Sequence, residues 1–288
     1  MSILHVIILA IIQGMAELLP VSSSAHVVVA EKLMGMDPTS PPMTLLLVML
    51  HTGTMFAVIA YFWNQWRKTY FQHMDTLKTI FFQVVVATFF TGLIGGGLIE
   101  GIEKFGFPHA KHAEIEQLFG RLDLIAPALA LVGILILIAG LKKTRALAAR
   151  EEDSTGLNTK QAGWIGAVQG LCLPFRGFSR SGATISTGML LGVARTKAEI
   201  FSFALAVVLT PPAIAREVLR LVKAEHVSGG NLSAAMMPSL LGAMFAFIAG
   251  LVALKWLSKW LESGRWHWFG VYCLVAAAAV AYLHHVGY

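Results

Sequence analysis

The chain has 288 residues, of which 56% are hydrophobic and only 13% charged. A soluble domain carries about 25% charged residues, so this chain has too little charge to cover a soluble surface, and a mean hydropathy of +0.69 agrees. The net charge of +6 then reports membrane topology and not nucleic acid, and two cysteines inside apolar stretches, Cys172 and Cys273, exclude a disulfide framework.

The first apolar region, residues 2–36, has no basic leader and carries Gln13 and Glu17, so it does not read as a cleaved signal peptide. It is interrupted at Leu19-Pro20-Val21-Ser22-Ser23-Ser24-Ala25-His26. Arms this short do not span comfortably. They suit a re-entrant helical hairpin, which is tolerated where its tip is buried in protein or lines a cavity. Three stretches follow at about 43–63, 78–100 and 121–141, each long enough to cross a core of roughly 30 Å. His109, His112, Glu114 and Glu116, in the hydrophilic stretch Glu103–Gln117, read as an exposed loop outside the cell and not as a metal centre.

Residues 162–194 form a second interrupted region, broken at Leu173-Pro174-Phe175-Arg176-Gly177-Phe178-Ser179-Arg180-Ser181-Gly182-Ala183-Thr184. Spans at about 200–220, 233–255 and 268–287 complete the chain. Trp63, Trp66, Trp256, Trp260, Trp266 and Trp268, near span ends, read as interfacial anchors.

The two interrupted regions resemble each other. Gln13-Gly14 precedes Leu19-Pro20 and a serine cluster; Gln169-Gly170 precedes Leu173-Pro174 and another, and both then run to a glycine, Gly35 or Gly192. A duplication explains this. The expected fold is an all-α polytopic membrane protein with six full spans plus two re-entrant helical hairpins in an inverted-topology repeat. It forms a single membrane domain over 1–288, with repeat one about 1–150 and repeat two about 151–288. Three spans per copy put the second copy on the opposite face, so that both hairpin tips can meet near the midplane. The face with Arg67, Lys68, Lys78, Lys142, Lys143 and Arg145 holds the larger share of Lys and Arg, which makes it cytoplasmic and puts both termini outside.

Ionisable groups inside membrane segments are costly and point to function. Gln13 and Glu17 are four apart and share a helix face, Pro20 ends that helix, and Ser22, Ser23, Ser24 and His26 follow. This first break offers base, nucleophile and metal-ligand candidates. In the second, Arg176 and Arg180 lie among Ser179, Ser181 and Thr184 with Gly177 and Gly182. Arginine, hydroxyls and backbone N–H groups at the start of a helix make an anion site suited to phosphate. His51, in the middle of a span, could face the same cavity, but packing is its expected role.

Gln13-Gly-Met-Ala-Glu17-Leu-Leu-Pro20-Val-Ser-Ser-Ser-Ala-His26, together with Gly177-Phe-Ser-Arg-Ser-Gly-Ala-Thr184, resembles the bacitracin-resistance type of undecaprenyl-pyrophosphate phosphatase, essentially end to end. The resemblance implies a bacterial inner-membrane, multi-pass hydrolase. It would convert the C55 polyprenyl diphosphate to the monophosphate carrier of peptidoglycan synthesis with a divalent cation, Mg²⁺ or Ca²⁺. The roles it implies fall on Glu17, Ser23, His26, Ser179, Arg180 and Thr184. Arg180 holds the diphosphate with Ser22, Ser179, Ser181, Thr184 and Arg176, while Glu17 and Gln13 hold the cation. His26 is the general acid or base, and Ser23 either attacks or orients an attacking water. Two departures stand out: Gln13 occupies a position often Glu in the family, and Pro174-Phe175-Arg176 precedes Gly177 where the family usually has Pro-Gly. The rival reading is a polyprenyl-phosphate flippase built on the same clamp. Expected partners are the diphosphate lipid and the surrounding membrane, with a homodimer admitted and no nucleic acid.

Overall fold

The computed structural model describes residues 2–37, 40–106, 118–142, 157–228, 233–262 and 265–288. Among them lie ten helices and no strand: α1 (Ile3–Leu18), α2 (Ser23–Leu33), α3 (Pro41–Tyr70), α4 (Met74–Gly106), α5 (Leu122–Leu141), α6 (Thr159–Leu171), α7 (Arg180–Leu190), α8 (Arg195–Ser228), α9 (Ser233–Glu262) and α10 (His267–His285). Six of these, α3, α4, α5, α8, α9 and α10, are long and apolar enough to cross a membrane, and they coincide with the six expected spans. Several run further than the hydropathy suggested, α3 through Arg67 and Lys68 to Tyr70 for instance. Hydropathy measures the apolar core of a span, whereas the backbone ladder continues through polar residues with good helix propensity. The segment with His109, His112, Glu114 and Glu116 lies outside the described residues.

The two interrupted regions each form a pair of short helices, α1 against α2 and α6 against α7. None exceeds 16 residues, against about 20 needed to cross a bilayer. Both pairs end alike. Gly35 and Gly192 adopt left-handed φ of 68° and 85°. The next N–H then reaches back five residues, Met36 to the Glu31 carbonyl and Val193 to the Gly188 carbonyl, each at 2.9 Å. This closure satisfies the last helical carbonyls and favours glycine at the turn.

The chain divides into two compact units, one of residues 1–19, 23–62 and 206–257, the other of 20–22, 63–205 and 258–288. In the first, Val6, Leu9 and Ala10 of α1, Val27 of α2, Leu46 and Leu50 of α3 and Ala246 of α9 make a buried cluster. Here α1 and α3 press on α9 through glycine: a methyl group on Gly14 would stand 2.6 Å from Ala249 Cβ, and one on Gly53 2.1 Å from the Ala243 carbonyl oxygen. Both approaches are closer than any Cβ permits, so the register of α1 and α3 along α9 is fixed near Glu17 and His51. In the second unit α5 runs along α10, α4 along α6, and α7 packs on α5 and α6.

Of the six tryptophans expected at the interface, Trp260 is half-buried and the other five divide into two groups. Trp63, Trp256 and Trp268 are about half exposed, as anchors should be. Trp66 and Trp266 are instead buried, which corrects the expectation for them. Their indole N–H groups find acceptors within the protein, the Ile200 carbonyl at 3.4 Å and Ser186 Oγ at 3.0 Å, and a satisfied N–H lets the ring leave the interface.

Candidate active site

Helix α1 delivers Gln13 and Glu17 one turn apart and stops at Leu18. Leu19 is already extended, with φ −78° and ψ 152°, while its N–H still bonds the Met15 carbonyl, because the residue before a proline is driven out of the helical region. At the far side of the break Ser22 holds a left-handed φ of 67°, a strained conformation for a residue with a Cβ and one that clusters at functional sites. That turn brings α2 back so that its first residue, Ser23, meets α1.

Three groups gather on one oxygen there. Ser23 Oγ donates to Glu17 Oε2 at 2.5 Å, Gln13 Nε2 donates to the same oxygen at 3.1 Å, and His51 Nε2 of α3 lies 3.7 Å from it. Gln13 is completely buried and Ser23 nearly so. His51 is held at its other nitrogen, with Nδ1 2.8 Å from the Leu47 carbonyl; since a carbonyl only accepts, Nδ1 carries a hydrogen. His26 stands one turn into α2, half-buried. The structure brings Gln13, Glu17 and Ser23 together and adds His51, for which the sequence favours packing over facing this cavity. The signal was available in its position, an ionisable side chain in mid-span.

The same cluster bears on a metal. The Gln13 carbonyl oxygen Oε1 is buried with no hydrogen-bond partner, next to a carboxylate and a hydroxyl. Oxygen donors with a single carboxylate suit a hard cation that takes its remaining ligands from phosphate and water. Among the described residues no three His, Cys, Asp or Glu side chains gather to form a metal site by themselves.

The second unit contains the other motif. Ser179 caps α7, accepting from the Gly182 N–H at 3.2 Å, and its hydroxyl lies 3.4 Å from that of Ser181. Arg180 is the first residue of the helix, where the N–H groups of the first turn and the helix dipole favour an anion. Ser179, Ser181 and Thr184 are all buried, and Thr184 Oγ1 contacts the Arg180 carbonyl at 2.8 Å and Ser202 Oγ of α8 at 2.6 Å. The sequence reading did not single out Ser202. Arg176 lies over the Phe119 ring, 4.3 Å from its centroid. Pro20 belongs to this unit too: its carbonyl lies 3.2 Å from where a methyl group on Gly182 would be, and Cys273 Sγ–H donates to it at 3.4 Å. The proline of the first motif therefore packs on the first turn of α7.

Comparison with known proteins agrees with these motifs. The family model described as bacitracin resistance protein BacA matches residues 6–279. The chain is 55% identical over 284 residues to undecaprenyl-diphosphatase 2 of Acinetobacter baylyi, covering 97% of each protein. It is 33% identical to undecaprenyl-diphosphatase 2 of Burkholderia ambifaria, over 96% of this chain and 95% of that one. Undecaprenyl-diphosphatase of Parabacteroides distasonis is 28% identical over 96% of each.

Proposed function

The chain belongs to the bacitracin-resistance BacA family, and from that membership we propose that it is an undecaprenyl-diphosphatase, hydrolysing the C55 polyprenyl diphosphate to the monophosphate lipid carrier and phosphate. The observation that carries the chemistry is the Ser23 hydroxyl held on the Glu17 carboxylate. A flippase would need the clamp on the lipid phosphate but has no use for a hydroxyl poised on a base, and the relatives are named as diphosphatases.

In this reading Ser23 Oγ attacks the terminal phosphorus as Glu17 takes its proton. The anhydride P–O bond breaks, the lipid monophosphate departs, and His26 supplies a proton to the departing oxygen. Water then attacks the phosphorus held on Ser23 and gives a proton to His26, while the Ser23 oxygen leaves and regains its proton from Glu17. Arg180, with Ser22, Ser179 and Ser181 around the break, holds the phosphates and stabilises the charge that grows in the transition state. Gln13 Oε1 and the Glu17 carboxylate would hold a divalent cation, Mg²⁺ or Ca²⁺; when bound, it neutralises phosphate oxygens. The test is phosphate release from a C55 or C15 diphosphate by purified protein. Release that stops with EDTA and returns with Mg²⁺ or Ca²⁺ is expected; binding of the lipid without release would sink the reading.

The protein is a multi-pass membrane protein, and we place it in the bacterial inner membrane as a single domain of two inverted repeats, about 1–150 and 151–288. The short paired helices α1–α2 and α6–α7, with their matching glycine-closed ends, support the view that each pair is a re-entrant hairpin. Single cysteines at Ser2 and Asp37, with Cys172 and Cys273 replaced, should both be labelled from outside. Those at Asn158 and Thr196 should both be labelled from the cytoplasm. Labelling of either pair from opposite sides would mean that the region crosses the membrane an odd number of times, and would overturn the hairpin.

A further inference from the structure

Thr184 stands one turn into α7 and is fully buried. A threonine hydroxyl has a single hydrogen, and a carbonyl can only accept. The 2.8 Å contact with the Arg180 carbonyl therefore takes the Thr184 hydrogen, and a second carbonyl, that of Ser181, lies further off at 3.4 Å. It follows that the 2.6 Å contact with Ser202 is made by the Ser202 hydrogen, donated to Thr184 Oγ1. The relay has one direction, from Ser202 to Thr184 to the Arg180 backbone. A threonine bonding back four residues is common in helices and by itself says little. The added element is a second hydroxyl from another helix, itself completely buried, ending on that threonine.

We propose that Ser202 is a positioning residue for the phosphate clamp: acting from α8 through Thr184, it fixes the backbone of Arg180 and so the point from which the guanidinium is presented. This rests on the reading of Arg180 as the clamp of a polyprenyl diphosphatase. Thr184, with its hydrogen committed to a backbone carbonyl, serves to orient the arginine and not to donate to phosphate.

The experiment measures kcat and KM for phosphate release in four proteins: wild type, Ser202→Ala, Arg180→Lys and the double variant. Misplacing a catalytic group by a fraction of an ångström to one ångström costs roughly tenfold to a hundredfold in rate, so Ser202→Ala should lower kcat by at least about tenfold while KM moves little. Because Ser202 acts through Arg180, the same change made in Arg180→Lys should cost almost nothing further. Thr184→Val interrupts the relay at its middle without changing side-chain volume, and covers the case in which Ser202→Ala does not fold. Thr184→Ser, which keeps the oxygen, should recover part of what Thr184→Val loses. Wild-type kcat in Ser202→Ala or Thr184→Val, or an equal fractional loss of kcat in the wild-type and Arg180→Lys backgrounds, overturns the proposal. Absence of phosphate release from wild type would instead overturn the diphosphatase reading on which it rests.

Discussion

Turnover of Glu17→Gln is expected to fall below about a tenth of wild type, a loss of more than ~1.4 kcal/mol of transition-state stabilisation. The replacement is isosteric, and its amide oxygen can still accept the hydrogen of Ser23, so the local hydrogen bonding that closes the α1–α2 turn has a substitute and the protein should unfold near its usual temperature. What the amide cannot do is take the Ser23 proton or bring negative charge to a cation. Gln13 is already neutral at a position where the family often has Glu, which leaves Glu17 as the one carboxylate of this break. The effect should therefore fall on kcat, with unfolding of the purified protein followed in parallel. A folded Glu17→Gln protein that keeps more than a tenth of the rate would remove Glu17 from the chemistry.

The large features of the fold were legible because they obey simple periodicities. A run of about 20 apolar residues can satisfy its backbone in lipid only as a helix, and all six such runs are helices in the structure. The breaks were legible for the opposite reason: Pro20 and Pro174 each fall beside a cluster of small polar residues just past a helix end, and in the second cluster Ser179 caps the helix that follows. The sequence did not reveal contacts between segments far apart in the chain. His51 meets Glu17 only because Gly14 and Gly53 let α1 and α3 settle on α9 at one register, and no local pattern encodes that register. Ser202 reaches Thr184 from a different helix in the same way. Trp66 and Trp266 misled for a related reason, since their proximity to span ends was visible but the acceptors that draw them inward were not.

The two arginines of the second motif are separated by the same reasoning. Arg180 opens α7, at the end where backbone N–H groups and the helix dipole favour phosphate, and its backbone is held by Thr184. Arg176 precedes the helix, and its guanidinium lies over the Phe119 ring, an arrangement that a cation–π attraction stabilises without any phosphate. Arg180→Lys preserves the positive charge but replaces a planar fork, able to hold two phosphate oxygens at once, with a point charge. If Arg180 acts chiefly on the transition state, kcat should fall more than KM rises. Losing an oriented donor of this kind costs about 2.7–4 kcal/mol in comparable oxyanion sites, or about 10²–10³ in rate. Arg176→Lys should cost far less, because lysine can still lie over the ring. Steady-state kinetics on the two variants decides the matter: near-normal kcat in Arg180→Lys, or a larger loss in Arg176→Lys, would move the terminal phosphate from the start of α7 to the loop before it.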